Sequence, residues 1–238
     1  MKTIKIAHLY YDIMNLYGEN GNVKYLAHKL EEQNFKVDIH FLTIDDRIDF
    51  NKYDIFYIGT GNEESITYVL EDLQKYKQDI KQAINNNKYF ILTGNALELF
   101  AKKIIKNKKR LKSINVLDYI VTYEDFRIVG EQYYESPLIE QKIIGFQNRS
   151  STIFYEKESL FKVIKGTGYN PKAKTEGITK KNVFATYLLG PFLVRNPYFT
   201  DYLVQKICTE QNQKYTLPNY TDPAYKAYHE YIKNFHSK

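Results

Sequence analysis

The chain has 238 residues, 43% of them hydrophobic and 16% aromatic, a composition that supports a buried core and excludes a disordered protein. A single cysteine, Cys208, excludes internal disulfides, and no apolar run approaches the roughly 18 residues that a membrane-spanning helix needs. The net charge of +6 allows anionic partners without identifying one. We therefore expect a cytoplasmic protein, folded as one domain over residues 1–238, without a transmembrane segment.

The N-terminal part of the chain alternates strand-like runs with helical patterns. Strands are predicted at residues 3–10, 36–43, 53–60 and 88–94. Amphipathic helices are predicted at 21–34 and 65–87. Because strands that alternate with helices form parallel βαβ units, this pattern predicts an α/β fold with a mostly parallel sheet and helices on both faces.

Beyond residue 115 the pattern changes to closely spaced strands with few helices between them. The strand-like segments are LDYIVTY, FRIVGEQYYE, KIIGFQN and STIFYE, which predict an added antiparallel or mixed β region. One more buried strand is predicted at 182–189, followed by a helix at 198–212. A tail helix is predicted at about 222–236, because Asp222 can cap its start and Pro223 suits its first turn.

Two other features have structural explanations. The basic cluster KKIIKNKKRLK, residues 102–112, has no interleaved aromatic residues of the kind that bind single-stranded nucleic acid, so we expect a solvated helix end and loop. Cys208 lies on an apolar helical face and is expected to be a small buried hydrophobe. The five histidines have no spacing typical of a metal site. We therefore expect no nucleic acid, metal or cofactor.

The stretch YFILTGNALELF, residues 89–100, has the pattern of a buried strand, a tight turn and a helix, an arrangement that presents the nucleophile in many hydrolases. Thr93 is predicted at the tip of this turn, followed by Gly94. Gly59 and Gly61 end a neighbouring predicted strand, so both turns should line one crevice at the carboxyl ends of the strands. Their backbone N–H groups could hold an oxyanion, or they could be no more than tight turns.

A series of segments carries a family likeness in order along the chain: IAHLYYDIMNLYGENGN, IGTGNEE, RIVGE, GFQN, GTGYN followed by TEG, and KNVFATYLLGPFLVRNP. Over about residues 4–233 the sequence resembles the class I glutamine amidotransferases of the cobyric acid synthase (CobB/CobQ) type, and within them the GatD group of bacterial peptidoglycan biosynthesis. The resemblance implies a flavodoxin-like core with an added β region. It also implies a heterodimer with a MurT-like Mur ligase, in which ammonia freed from glutamine amidates the stem peptide of lipid II.

The resemblance further implies catalytic residues, and this sequence departs from them. The family needs a cysteine thiolate that attacks glutamine and a histidine that activates it. Thr93 takes the cysteine position and Leu189, in TYLLGP, takes the histidine position. Asn95 and Leu97 replace a glycine and a glutamine of the cysteine motif, and Arg149 replaces a histidine after GFQN. Loss of such a catalytic pair typically costs about 10⁶-fold in rate, so the sequence predicts a pseudoenzyme that does not hydrolyse glutamine.

Part of the substrate site is retained in the same comparison. Arg127, in RIVGE, takes the position of an arginine that contacts substrate, and the turn glycines Gly59, Gly61 and Gly94 persist. A glutamine-like small molecule is therefore a candidate ligand, although an exposed arginine on a strand is ordinarily a surface charge.

The sequence leaves three functions open. The first is a degenerate GatD-like subunit that docks on a MurT-like ligase, close to membrane-bound lipid II. The second is a stand-alone binding module for an amino acid or peptide-like ligand in the former active-site crevice. The third is a working enzyme that uses Thr93 with an unidentified base. The tail-helix residues Tyr225, Tyr228 and Tyr231 are expected to pack on their own domain, with a partner interface as the alternative.

Overall fold

The computed structural model describes residues 1–235, whose strands form one sheet of eleven strands. The strands are β1 (Thr3–Leu9), β2 (Lys36–Leu42), β3 (Ile55–Ile58), β4 (Tyr89–Thr93), β5 (Lys103–Lys106), β6 (Lys109–Leu111), β7 (Ile120–Ser136), β8 (Ile139–Phe154), β9 (Ser159–Lys165), β10 (Thr175–Lys180) and β11 (Val183–Thr186). The helices are α1 (Asn20–Glu31), α2 (Glu63–Gln74), α3 (Lys77–Asn85), α4 (Ala96–Phe100), α5 (Phe192–Arg195), α6 (Pro197–Glu210) and α7 (Pro223–Phe235).

One half of the sheet is parallel. Its strand order is β2-β1-β3-β4-β11, which is the flavodoxin-like order, and all four of its pairings are parallel. Every residue of β3, β4 and β11 is buried, because helices cover both faces of these strands. Two large hydrophobic clusters lie against the sheet. The predicted α/β class and the predicted strands of this half are confirmed.

The other half of the sheet is mainly antiparallel, as predicted. From β11 it continues through β10 and β9 to β7, and β8 pairs along β7 as the second arm of a long hairpin. The predicted segments LDYIVTY and FRIVGEQYYE are joined into β7, and KIIGFQN and STIFYE into β8. A register shift between Tyr123 and Ile128 marks a bulge where the two predicted segments of β7 meet.

Two local predictions were wrong. The helical pattern at 65–87 is divided into α2 and α3 around Tyr76, whose backbone leaves helical geometry. The basic cluster at 102–112 is not a helix end but the hairpin of β5 and β6, which turns through Asn107 and Lys108 at φ of 50° and 62°. β6 is exposed at the edge of the sheet, where charged side chains discourage the addition of a further strand.

The tail helix α7 packs against its own chain. The Asp222 side chain accepts a hydrogen bond from the Ala224 backbone N–H at 2.8 Å, which confirms it as the cap. The Tyr225 hydroxyl is buried and donates to the Asp201 carboxylate, and Tyr228 donates to the Lys142 carbonyl at 2.8 Å. The last position of the predicted tail helix, 236, lies outside the described residues. Across residues 1–235, no helix has the length and apolar character needed to cross a membrane.

Candidate functional site

A crevice of about 270 Å³ opens where the carboxyl ends of β3, β4 and β11 meet the bulged part of the β7–β8 hairpin. The structure brings Gly61, Gly94, Arg127 and Leu189 together in its lining. Gly59 is not part of the lining, and an added Cβ there would come within 2.5 Å of the Glu19 side chain and the Met14 carbonyl. A crevice at the ends of parallel strands is the usual ligand site of an open α/β sheet.

The tip of the turn after β4 is Gly94, one residue beyond the position predicted from the sequence. Gly94 has a φ of 59° and lines the crevice. Thr93 is the last residue of β4, its side chain is fully buried, and it is not part of the crevice lining. Side chains alternate across a strand, and glycine adopts a positive φ without steric cost, so the sharp turn falls on Gly94.

The space above Gly94 is filled by its neighbours. A Cβ built on Gly94 would lie 1.6 Å from Thr60 Oγ1 and 2.7 Å from Leu189 Cδ2. Thr60 is held in this position because its hydroxyl donates to the Thr93 carbonyl at 3.2 Å. No side chain can therefore project from position 94 into the crevice unless Thr60 and Leu189 move.

Leu189 forms an apolar wall of the crevice. It is 3% exposed, and its backbone N–H donates to the Phe146 carbonyl at 2.9 Å, which ties the chain after β11 to β8. A hydrocarbon side chain cannot accept or deliver a proton, so this position contributes shape and no acid–base chemistry.

Thr93 belongs to a buried polar cluster around Glu19, on the α1 side of the sheet. Glu19 Oε2 accepts hydrogen bonds from the Thr93 hydroxyl at 2.6 Å, from Asn22 Nδ2 at 3.0 Å and from the Tyr57 hydroxyl. The Thr93 and Tyr57 hydroxyl oxygens lie 2.6 Å apart. Burial raises the pKa of Glu19, and the hydrogen bonds from Thr93 and Tyr57 oppose that rise. Glu19 thus gives Thr93 a carboxylate neighbour, but both side chains are fully buried.

Glu19 was not predicted as a site residue from the sequence. Its only signal was an acidic residue in YGENGN, directly before α1, and nothing in that stretch reveals that the residue is buried against β3 and β4.

The floor of the crevice carries a second buried acid, Glu98 of α4, which is 2% exposed. Its carboxylate accepts hydrogen bonds from Ser151 Oγ at 2.5 Å, Tyr123 OH at 2.7 Å and Tyr187 OH at 3.2 Å. Burial raises the pKa of Glu98, while the three hydroxyl groups and the charge of Arg149 lower it. Leu97, which the sequence analysis placed at the family's glutamine position, lies fully buried in the core, and Glu98 faces the crevice instead.

Arg149 is a buried cation beside this acid. Its guanidinium stacks on the Tyr187 ring at 4.0 Å and donates to the Gly168 carbonyl at 2.6 Å and to Gln147 Oε1 at 3.0 Å. Arg149 is 5% exposed, so its charge acts within the crevice wall rather than on open solvent.

Arg127 lies at the mouth of the crevice on the bulged part of β7. Its Nε donates to Asn148 Oδ1 at 2.5 Å, which fixes the guanidinium across the hairpin. Among residues 1–235 we find no carboxylate within 4.0 Å of it. A fixed, exposed guanidinium without a carboxylate partner can bind a carboxylate group of a ligand through two parallel hydrogen bonds. The described part of the crevice lining contains no cluster of metal-ligating side chains.

Comparison with known proteins gives consistent matches over most of the chain. The pattern of the CobB/CobQ-like glutamine amidotransferase domain matches residues 5–197. The GatD subunit of lipid II isoglutaminyl synthase (glutamine-hydrolyzing) from Staphylococcus aureus is 31% identical over 87% of this chain and 86% of its own length. The GatD subunit from Streptococcus pneumoniae is 29% identical over 92% of this chain and 86% of its own length. A crystal structure of a glutamine amidotransferase superposes with a TM-score of 0.53 at 11% identity, covering 86% of this chain and 97% of that one, and supports the fold alone.

Proposed function

Because the chain belongs to the CobB/CobQ-like family of glutamine amidotransferases, we propose that it is a degenerate amidotransferase subunit, a pseudoenzyme that does not hydrolyse glutamine. The relatives are subunits of a synthase that acts on lipid II, which supports a place for this chain in the same amidation of peptidoglycan precursors.

The observation that carries the proposal is the filled space at the tip of the turn after β4. Acyl transfer from glutamine needs a nucleophilic side chain at the tip, with a base in reach. The tip here is Gly94, with Thr60 Oγ1 lying 1.6 Å from the place of its missing Cβ. Leu189, at the position that the family resemblance gives to the histidine, supplies no base. The crevice thus lies at the usual ligand site of an open α/β sheet, and neither Gly94 nor Leu189 brings a reactive group to it.

Thr93 does not replace the lost nucleophile in this account. Its hydroxyl has a candidate base in Glu19, 2.6 Å away, but both side chains are fully buried and neither residue lines the crevice. A nucleophile must be within hydrogen-bond reach of its base and also in contact with substrate, and Thr93 meets only the first condition. This enclosure argues against a working enzyme built on Thr93.

The proposed partner is a MurT-like Mur ligase, which this subunit would bind in the cytoplasm close to membrane-bound lipid II. The subunit would stabilise or regulate the ligase, and the ligase would take free ammonia or another nitrogen donor. The proposal is tested by purifying the two chains together and measuring amidation of lipid II with either glutamine or ammonium as the donor. We expect a stable complex that amidates with ammonium only, and the absence of a complex or equal use of glutamine would contradict it.

Reactivation gives a sharper test of the filled space. The triple variant Thr60→Gly, Gly94→Cys, Leu189→His restores a thiol, an imidazole and the room for both. The matched control Gly94→Cys, Leu189→His retains Thr60. If the account is right, covalent labelling of the new thiol by a glutamine-analogue chloroketone is faster in the triple variant than in the control. Equal labelling would mean that Thr60 does not block the position.

A second function, a binding module for an amino acid or peptide-like ligand, is favoured by one observation. Arg127 is fixed at the crevice mouth without a carboxylate partner among the described residues, and the buried carboxylate of Glu98 lies on the floor. Calorimetric titration with glutamine, glutamate and a γ-glutamyl peptide tests this function. Saturable binding that Arg127→Gln abolishes, without ligase association, would favour the binding module over the ligase subunit.

A further inference from the structure

The junction between α1 and α7 brings together a histidine and two carboxylates from distant parts of the sequence. His28 and Glu32 are one helical turn apart at the end of α1, and Asp222 precedes α7. One ligand atom from each of the three lies within 4.8 Å of the others. His28 Nε2 and Glu32 Oε1 are 3.3 Å apart.

The junction also has an excess of negative charge. Glu32, Asp222 and the nearby Asp201 contribute three carboxylates, and the buried ammonium of Lys29 lies 2.6 Å from Glu32 Oε2 and 3.9 Å from Asp201 Oδ1. One lysine does not balance three carboxylates, so the junction favours an additional cation.

A separate observation comes from Tyr25, which shares the helix face of His28 and Glu32 at spacings of three and seven residues. Its hydroxyl oxygen is buried, and we find no hydrogen-bond partner for it among the described residues. The carboxylates of Asp222, Asp201 and Glu32 lie close enough to this hydroxyl to interact with it electrostatically. A buried hydroxyl without a partner is costly unless a bound ion or water completes it.

We propose that His28, Glu32 and Asp222 bind one divalent transition-metal ion of the zinc class, with the Tyr25 hydroxyl bonded to a water on that ion. An imidazole nitrogen with carboxylate oxygens is a typical donor set for Zn²⁺, whereas Mg²⁺ and Ca²⁺ prefer oxygen ligands alone.

The atoms needed for binding are available. Glu32 Oε2 is engaged by Lys29, which leaves Oε1 beside His28, and Asp222 Oδ1 caps α7, which leaves Oδ2. The ion would join the end of α1 to the start of α7 and so fix the tail helix in place. The sequence alone does not suggest this site, because only the fold brings Asp222 to the two α1 residues.

The test is calorimetric titration of Zn²⁺ into the full chain after removal of metal with a chelator. We expect one ion per chain, bound with a dissociation constant in the micromolar range. The variants His28→Gln, Glu32→Gln and Asp222→Asn should each weaken binding by about tenfold or more. Asparagine is as good a helix cap as aspartate, so Asp222→Asn removes a ligand charge without removing the cap.

His229→Gln is the matched control, because His229 is also an exposed helical histidine but lies outside the cluster. It should leave Zn²⁺ binding unchanged, and Mg²⁺ in place of Zn²⁺ should give no saturable heat.

A second readout is hydrogen exchange at the start of α7, which Zn²⁺ should slow in the wild type and leave unchanged in His28→Gln. The proposal is overturned if Zn²⁺ does not bind saturably, or if its binding weakens as much in His229→Gln as in the cluster variants.

Discussion

Adding a single methyl group at Gly94 should reveal how completely the turn after β4 is filled. In Gly94→Ala the new Cβ meets Thr60 Oγ1 at 1.6 Å and Leu189 Cδ2 at 2.7 Å, at a backbone φ of 59°. A left-handed backbone costs a non-glycine residue about 1–2 kcal/mol, and overpacking in a tight interior adds about 1–3 kcal/mol. We therefore expect Gly94→Ala to lower the free energy of unfolding by about 2–5 kcal/mol.

Gly18 provides the control for the backbone contribution. Its φ is 76°, and an added Cβ would have nothing within 4 Å, so Gly18→Ala should cost only the left-handed backbone, about 1–2 kcal/mol. The difference between the two variants then measures the steric contribution of Thr60 and Leu189.

Urea denaturation of a double-mutant cycle completes the assay. Thr60→Gly removes the closest clash, so it should recover about 1–3 kcal/mol in the Gly94→Ala background beyond its own separate effect. The same substitution should not interact with Gly18→Ala. Additive costs at positions 60 and 94, or equal costs for Gly94→Ala and Gly18→Ala, would refute the view that Thr60 fills the nucleophile's place.

Three further predictions follow from single side chains. His8 is fully buried beside Tyr57, and burial lowers its pKa from 6.5 to about 4, so it contributes stability above pH 6.5 that is lost as the pH falls towards 4. On going from pH 7 to pH 4, the wild type should lose about 3 kcal/mol more free energy of unfolding than His8→Phe. Equal losses in the two proteins, measured by urea unfolding at both pH values, would contradict this. Burial raises the pKa of Glu98, so the stability that this side chain contributes is present at low pH and is lost as the pH rises. Between pH 5 and pH 8, Glu98→Gln should therefore lose less free energy of unfolding than the wild type. An equal loss, measured by urea unfolding, would refute the raised pKa of Glu98. If the crevice binds a carboxylate ligand, Arg127→Gln should weaken calorimetric binding of glutamate by about tenfold or more, whereas Arg110→Gln on the exposed edge strand should leave it unchanged.

The parallel half of the sheet was predictable because its signals are local. The runs at β1, β3 and β4 are short, apolar and β-branched or aromatic, and each is followed by a turn or a helical pattern. The basic hairpin of β5 and β6 was missed because only Ile104 and Ile105 favour a strand in this stretch, and the lysines around them are depleted in strands. They lie in strands because Lys103–Lys106 pairs in parallel with the start of β7, a contact that no local pattern indicates.

The candidate site was predictable in place but not in detail. The glycine-bearing turns and the absent histidine could be identified from the sequence, which located the crevice at the carboxyl ends of the strands. Gly94 forms the tip because it takes the positive φ, and the neighbours Thr60 and Leu189 that fill the space above it come from distant parts of the sequence. The buried acids Glu19 and Glu98 become visible only when the hydroxyl groups that bind them are brought together by the fold.

The central claim is that this family member has lost glutamine hydrolysis, and release of ammonia from glutamine by the purified chain tests it most directly. The assay is run with and without the candidate ligase, with Thr93→Ala beside the wild type. The account predicts no ammonia above the protein-free background for either chain under either condition. Steady turnover by the wild type that Thr93→Ala abolishes would contradict it, and would make Thr93, with Glu19 as its base, the nucleophile of a working enzyme.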